Sequence, residues 1–178
     1  MKYTLLSLFL ATLLVSCVTE PEEISDASST VEGLKPIYAS TDDWQAISAT
    51  DIHPIKKLGK IYYKDNLIYV NEYLKGIHII DNSNPSNPVQ IKFINILGNK
   101  DIAIKGNILY ADNVADLVSL DISNLDNIQE VGRVKNMYPS LSLNYPEGYV
   151  GSFECVDESQ GVVIGWEEAT LTDPKCWR

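Results

Sequence analysis

Gly76-Ile77-His78-Ile79-Ile80-Asp81-Asn82-Ser83-Asn84-Pro85 is the stretch on which the reading of this chain turns. A nearly unbroken apolar run ends in an aspartate and gives way to a polar turn closed by proline. A short apolar run of this kind suits a strand buried on both faces. The same shape returns in Asp116-Leu117-Val118-Ser119-Leu120-Asp121, followed by Ile122-Ser123-Asn124-Leu125. Upstream, Ile61-Tyr62-Tyr63-Lys64-Asp65-Asn66-Leu67-Ile68-Tyr69-Val70-Asn71 lines up with Ile102-Ala103-Ile104-Lys105-Gly106-Asn107-Ile108-Leu109-Tyr110-Ala111-Asp112. The offset is 41 in this part and 40 after it, so one residue is missing from the second copy. Lys64-Asp65-Asn66 and Lys105-Gly106-Asn107 read as hairpin turns, because Asp, Asn and Gly tolerate positive φ. A fourth run, Val89 to Ile94, matches Ile128 to Val134. One unit is therefore four short strands in about 40 residues, the length of a β-propeller blade.

Working outward, Gly161-Val162-Val163-Ile164-Gly165-Trp166 has the outline of a worn third copy, and Pro54 to Gly59 the outline of the end of a preceding one. Ser40 and Asp43 before Trp44 could cap a helical turn. The stretch from Ser40 to Arg178 holds roughly three and a half units, against ~4–8 blades in closed propellers. The fold expected is all-β: a partial propeller of about three to four four-stranded, blade-like repeats. Open flanks are association liabilities. A compact partial propeller with degenerate end caps resolves them; a homodimer that closes a ring, or docking on another protein, are the alternatives.

The strand Ile77-His78-Ile79-Ile80-Asp81 with its Asn-Ser-Asn-Pro-Ser-Asn-Pro turn resembles the LVIVD repeat, and Leu117-Val118-Ser119-Leu120-Asp121 is a weaker copy. The resemblance covers about residues 59–136. It implies blade-like architecture in a bacterial surface or secreted protein, many of that family being lipoproteins, and it implies no activity.

The N-terminus reads as an address. After Lys2, the run Leu5 to Val15 is apolar, and eleven residues span about 16 Å as a helix, roughly half a bilayer core. It is a signal-peptide core rather than a membrane span. Leu14-Val15-Ser16-Cys17 resembles the lipobox of bacterial lipoproteins, which implies cleavage before Cys17 and lipid on its thiol and amine. Acyl chains at ~0.8 kcal/mol per buried methylene anchor a protein without a spanning helix. Residues 18–33 carry five acidic side chains and no basic one, and read as a flexible tether. An acidic cluster after the lipid cysteine also resembles surface-export signals of outer-membrane lipoproteins, which favours the cell surface over the periplasmic face. The expected organisation is signal peptide 1–16, tether 17–34, N-terminal cap or partial blade 35–58, repeats 59–98 and 99–137, and a degenerate third repeat with C-terminal cap 138–178.

Charge excludes one class of partner. With 14 Lys+Arg against 24 Asp+Glu, the net charge is -10, and nucleic acid is not an expected partner. Three cysteines rule out a disulfide-dense miniprotein. With Cys17 lipidated, Cys155 and Cys176 remain, and in an exported chain an even remainder invites a disulfide. Two separate buried thiols are the alternative, and zinc is disfavoured because two cysteines without a nearby histidine are too few ligands.

Candidate chemistry is sparse. Asp81 and Asp121 end their strands, where a carboxylate can accept from backbone N–H groups of the next turn. Asp81-Asn82-Ser83-Asn84 is oxygen-rich, but a calcium loop wants six to eight oxygens and a glycine-assisted turn, so both aspartates are read as structural. His78 stands where the second copy has Val118 and is read as packed; His53 lies in a connector. No histidine pair at helical ligand spacing occurs, no Gly-rich phosphate loop is present, and Glu167-Glu168 face opposite ways on a strand. No catalytic residue, metal or cofactor is expected. Tyr73, Tyr138, Tyr145 and Tyr149 fall in loops and are candidates for a binding surface, with plain packing as the bland alternative. The expected function is a non-catalytic, lipid-anchored binding or scaffold module for a protein or glycan partner. The alternatives are an enzyme or subunit acting on extracellular polysaccharide, and a purely structural envelope lipoprotein.

Overall fold

The computed structural model describes residues 28–40, 43–138 and 144–178. The signal peptide, the lipobox with Cys17 and most of the tether lie outside the described residues. Among the described residues, thirteen strands form three sheets. No closed barrel or closed propeller is formed among the described residues.

Two sheets are the repeats. In the first, β3 (Leu58–Lys64), β4 (Leu67–Glu72), β5 (Gly76–Asp81) and β6 (Val89–Asn95) run up and down, with β2 (Ser48–Thr50) added beside β6. In the second, β7 (Ile102–Lys105), β8 (Ile108–Asn113), β9 (Asp116–Asp121) and β10 (Gln129–Val134) do the same. The hairpins are two-residue turns, with Asp65 at φ 51, Asn66 at φ 61 and Gly106 at φ 58, the conformation those residue types permit most cheaply. The missing residue falls in the next turn: three residues separate Glu72 from Gly76, and two separate Asn113 from Asp116. Both repeats carry a β-bulge at the same place. Ile91 is skipped between partners Gln90 and Lys92, and Val131 between Glu130 and Gly132. A bulge bends and twists its strand, so each outer strand turns away from its sheet at an equivalent point.

The core lies between the two repeats. Tyr69, Ile77, Ile79, Ile94 and Ile96 of the first meet Ile102, Ile104, Leu109, Val118 and Leu120 of the second. Tyr62 Oη donates to the Ile104 carbonyl at 2.9 Å across this junction. The reading of both motif strands as buried on both faces holds only for β5. Ile77, His78 and Ile79 are all fully buried, because β5 has repeat two on one side and residues 51–57 on the other. In β9 buried residues alternate with half-buried ones, since only the side toward repeat one is covered.

The third sheet differs from the expected worn repeat. It runs β12 (Val162–Thr172), β1 (Thr30–Ala39), β11 (Ser152–Phe153), β13 (Cys176–Trp177). Gly161 to Trp166 lead into one long strand paired with the N-terminal β1 from Thr30↔Thr172 to Ala39↔Val162, and β1 meets β11 in parallel. This is not the up-and-down order of a blade. Two boundaries change with it. The segment 17–34 is not tether to its end, since β1 begins at Thr30. Residues 35–58 are not one cap, since 35–39 belong to the third sheet and 48–50 to the first repeat's sheet. The acidic composition concealed a strand because its charged side chains point outward: Glu32 accepts from Thr170 Oγ1 at 2.9 Å, and Lys35 pairs with Glu167 at 3.1 Å. Ser40 and Asp43 do bond one another, and the Ala46 N–H donates to the Asp43 carbonyl, in a turn rather than a helix. Cys155 and Cys176 are disulfide-bonded and tie β13 to the segment after β11.

Candidate functional site

The densest cluster of ionisable groups is at a corner of repeat one that the sequence does not advertise. Glu72 is the last residue of β4, His78 sits mid-β5, and Phe93 lies opposite His78 on β6. Residues 53–56 close the corner from outside. Glu72 and His78 are fully buried. Glu72 Oε2 accepts from His78 Nε2 at 2.8 Å and His53 Nε2 at 3.1 Å; Oε1 accepts from the Lys56 N–H at 3.2 Å and faces Lys75 Nζ at 3.3 Å. Burial pushes the Glu72 carboxyl upward, but His78, the Lys56 N–H, His53 and Lys75 together overcome it and hold it at about 2. Burial pulls His78 below its ordinary value, and Glu72 only partly restores it. Gln90 bonds His78 Nδ1 on the other side. With the Gln90 amide as donor, the histidine carries its proton on Nε2, toward the carboxylate. His53 stacks edge-on against Phe93 and His78, at 4.4 and 4.9 Å between ring centres.

Two imidazole nitrogens and one carboxylate oxygen lie within 4.8 Å of one another here, and these are the residues that could hold a divalent ion. Both Glu72 oxygens, both His78 nitrogens and His53 Nε2 are already hydrogen-bonded, with Lys75 compensating the carboxylate. The arrangement therefore also serves as it stands, as a clasp that fixes residues 53–56 on the sheet. Spacing arguments missed it because His53 and Glu72 come from different elements, brought together by the docking of a connector.

Repeat two has a corner at the equivalent place with different chemistry. Arg133 donates to Asn113 Oδ1 at 2.7 Å, Asp116 Oδ2 at 3.0 Å, the Gln45 carbonyl at 3.0 Å and both oxygens of Glu130. Asn113 Nδ2 donates to the Trp44 and Leu97 carbonyls. Between the corners, Asn71 donates to Asn99, and Asn99 to Asp112, whose carboxylate also takes the Lys100 and Asp101 N–H groups. Burial raises the Asp112 pKa against those backbone donors. Its oxygens hold the loop 99–101, as a structural carboxylate does.

The four tyrosines do not make one surface. Tyr73 lies under Lys57 Nζ, 4.2 Å from the ring centre. It lines a cleft of about 280 Å³ with Leu34, Lys100, Pro146, Glu147 and Trp166, where the third sheet meets the repeats. Tyr138 lines a second cleft of about 200 Å³ with Asp101, Ala103, Tyr110, Asp112 and Leu117. Burial and the Asp112 charge raise the pKa of both. Tyr145 stacks edge-on against Phe153 at 6.0 Å, and Tyr149 Oη donates to the Ser152 carbonyl at 3.2 Å, so both belong to the packing of the third sheet. Asp81 Oδ1 accepts from the Ser83 N–H, and Asp121 Oδ1 from the Ser123 N–H, each at 2.8 Å. The Ser83 hydroxyl and N–H for Asp81, and the Ser123 N–H and hydroxyl for Asp121, hold both carboxyls below their ordinary range, and each carboxylate pins the turn after its strand. Trp166 also lines the first cleft, and its indole N–H is buried with no hydrogen-bond partner among the described residues.

Two sheets that share the order of their four repeat strands, a two-residue first hairpin and the position of a bulge, packed against one another, define a β-repeat of blade type. The LVIVD repeat pattern matches residues 59–95 and 99–136, and these two units are LVIVD repeats. No curated protein and no solved structure matches the chain.

Proposed function

We propose that the chain is a lipid-anchored envelope protein whose repeat domain binds a protein or glycan partner without transforming it. The observation that carries this is the cleft between the third sheet and the turns of the repeats. Tyr73, Trp166, Leu34 and Pro146 provide flat and apolar walls, and Lys100 and Glu147 provide opposite charges. Aromatic walls with a few polar groups are the composition of a site for a sugar ring or an extended side chain. Lipid on Cys17 and the acidic segment behind it would hold this cleft off the outer membrane, facing the cell exterior.

The test compares the chain with its Tyr73→Ala and Lys100→Ala variants on immobilised polysaccharides and on solubilised envelope protein. Retention lost in both variants, at unchanged circular dichroism, is the expected result. Retention on nothing, or retention that ignores both substitutions, refutes the cleft. The anchor is checked separately: Cys17→Ala is expected to move the protein from the membrane pellet to the soluble fraction, and protease added to intact cells is expected to remove the wild-type protein.

A further inference from the structure

Aligned by the offset of 41, then 40, the two corners place Glu72 against Asn113, His78 against Val118, Gln90 against Glu130 and Phe93 against Arg133. In repeat two a cation built into the chain closes the corner. The Arg133 guanidinium bridges the Asn113 side chain, at the end of β8, to the Gln45 carbonyl in the segment that precedes the repeats, and Glu130 accepts from it with both oxygens. In repeat one the uncharged ring of Phe93 stands in the place of that guanidinium. Beside it lies a fully buried carboxylate, Glu72, at the end of β4. Two imidazoles converge on one of its oxygens, His78 from β5 and His53 from the same preceding segment.

The geometry points to a divalent transition-metal ion of zinc type as the cation of this corner, held by His53 Nε2, His78 Nε2 and Glu72 Oε2. Two imidazoles with one carboxylate suit zinc and its neighbours rather than calcium or magnesium, which take oxygen. Bonds of ~2.0–2.1 Å in a tetrahedral site put ligand atoms about 3.3 Å apart. The two pairs to Oε2 stand at 2.8 and 3.1 Å, and all three atoms lie within 4.8 Å of one another. Opening the first two distances slightly and closing the third makes room for the ion. His53 can make that adjustment, because its side chain is 36% exposed and its backbone belongs to a connector. Lys75 Nζ faces the other oxygen, Oε1, and is half exposed, so it can turn into water as the ion arrives. Gln90 meets the remaining requirement. Metal on Nε2 needs the His78 proton on Nδ1, whereas the hydrogen-bonded clasp carries it on Nε2. A glutamine amide has a donor end and an acceptor end. Turned one way it donates to His78 Nδ1; turned the other, its oxygen accepts from the Nδ1–H. His78 thus stays neutral in both forms, its proton passing from Nε2 to Nδ1, and the same neighbour orients it as the outer partners of metal-bound histidines do. Without the ion the corner is the hydrogen-bonded clasp; with it, coordination ties His53 and its connector to β4 and β5. The inference rests on this corner and not on the Tyr73 cleft, so either can fail alone.

The test uses the full chain without a polyhistidine tag, stripped by chelator and held in mild non-ionic detergent. It is titrated with Zn²⁺ alone and followed by calorimetry and by imidazole ¹H–¹⁵N NMR. The chain has two histidines, so one substitution assigns both. One ion per chain is expected, with Kd below about 100 μM. Both Nε2 resonances are expected to move to the metal-bound range, and His78 Nδ1 to gain a proton. His53→Ala, with its fold checked by circular dichroism, is expected to weaken binding by about 100-fold or more, and Gln90→Leu by about 10- to 100-fold. Binding weaker than about 100 μM overturns the inference. So does binding that His53→Ala leaves unchanged. Imidazole resonances of the wild type that stay in place under saturating zinc overturn it as well, and that readout needs no variant to fold.

Discussion

Removal of the Arg133 guanidinium tests whether the polar corner of repeat two holds the fold or merely decorates it. The side chain is 12% exposed and Asp116 beneath it 2% exposed. Without Arg133, Asp116 keeps one donor, the Asn136 N–H at 2.9 Å. Asn113 Oδ1 and the Gln45 carbonyl lose their partner as well. Breaking a buried ion pair from one side costs about 3–5 kcal/mol, because the remaining charge is stranded. Arg133→Met keeps most of the apolar stem and removes the fork. For a domain of this size m in urea is about 2 kcal/mol per M, so the midpoint is expected to fall by roughly 1.5–2.5 M. Trp44, whose carbonyl accepts from Asn113, serves as a nearby fluorescent reporter. Arg133→Lys is expected to recover part of the loss, since a point charge replaces a planar fork. The cycle with Asp116→Asn should return a coupling of about 1–3 kcal/mol. A loss below about 1 kcal/mol for Arg133→Met, or strictly additive single variants, would show that solvent satisfies these groups and would refute the reasoning.

Three further outcomes follow from the same packing. The Glu72 corner makes the protein acid-sensitive. His78 is held below 6.5 and Glu72 at about 2 against 4.5, with His53 and Lys75 the other titratable groups facing them. Both shifts contribute stability that is complete above the unfolded values and lost as pH falls, from about 6.5 for His78 and from about 4.5 toward 2 for Glu72, and the two are coupled because His78 and Glu72 bond one another. In urea melts across pH 3–7, His78→Val is expected to abolish the upper limb and to shrink the lower one, because His78 is the first of the groups that hold Glu72 down. A Cβ on Gly165 would overlap Leu74, which reaches it from the β4–β5 turn. Gly165→Ala is therefore expected to cost about 1–3 kcal/mol by overpacking, with hydrogen exchange rising first in β12. Replacing Cys155 and Cys176 by serine opens a loop with sequence separation 21 and should cost about 3 kcal/mol in urea unfolding; an unchanged midpoint would show the clasp to be idle.

Much of the fold is legible because the repeat states its evidence twice. Asp65-Asn66 and Gly106-Asn107 mark the same turn, and Asp81 and Asp121 pin the same loop, so each weak local signal is confirmed by its copy. The third sheet has no copy to support it. Its main pairing joins Thr30 to Thr172, and Glu32, the last of the acidic residues that make 18–33 look like spacer, is an exposed residue of β1. The corner of repeat one was hidden for another reason. His78 reads as packed, and it is buried; but its partner Glu72 is the end of the neighbouring strand, and His53 comes from outside the repeat. Local spacing carries no trace of a contact made by docking a connector.

The two corners also say something about the order in which the structure can complete itself. Buried donors and acceptors left without partners cost about 1–3 kcal/mol each. In repeat two, Asn113 and Arg133 reach the Trp44 and Gln45 carbonyls; in repeat one, Glu72 takes His53 and the Lys56 N–H. Between them β2 pairs with β6. A single segment, residues 44–56, therefore runs from one corner to the other and satisfies both. It precedes the repeats in the chain, yet the surfaces it satisfies exist only once β4–β6 and β8–β10 have formed. The strand scaffold is the conserved part of each unit, and the corner chemistry is free to differ, Glu–His–His in one and Arg–Asp–Asn in the other, provided that the shared connector supplies what each leaves unpaired. A change in that connector should accordingly register in both repeats at once.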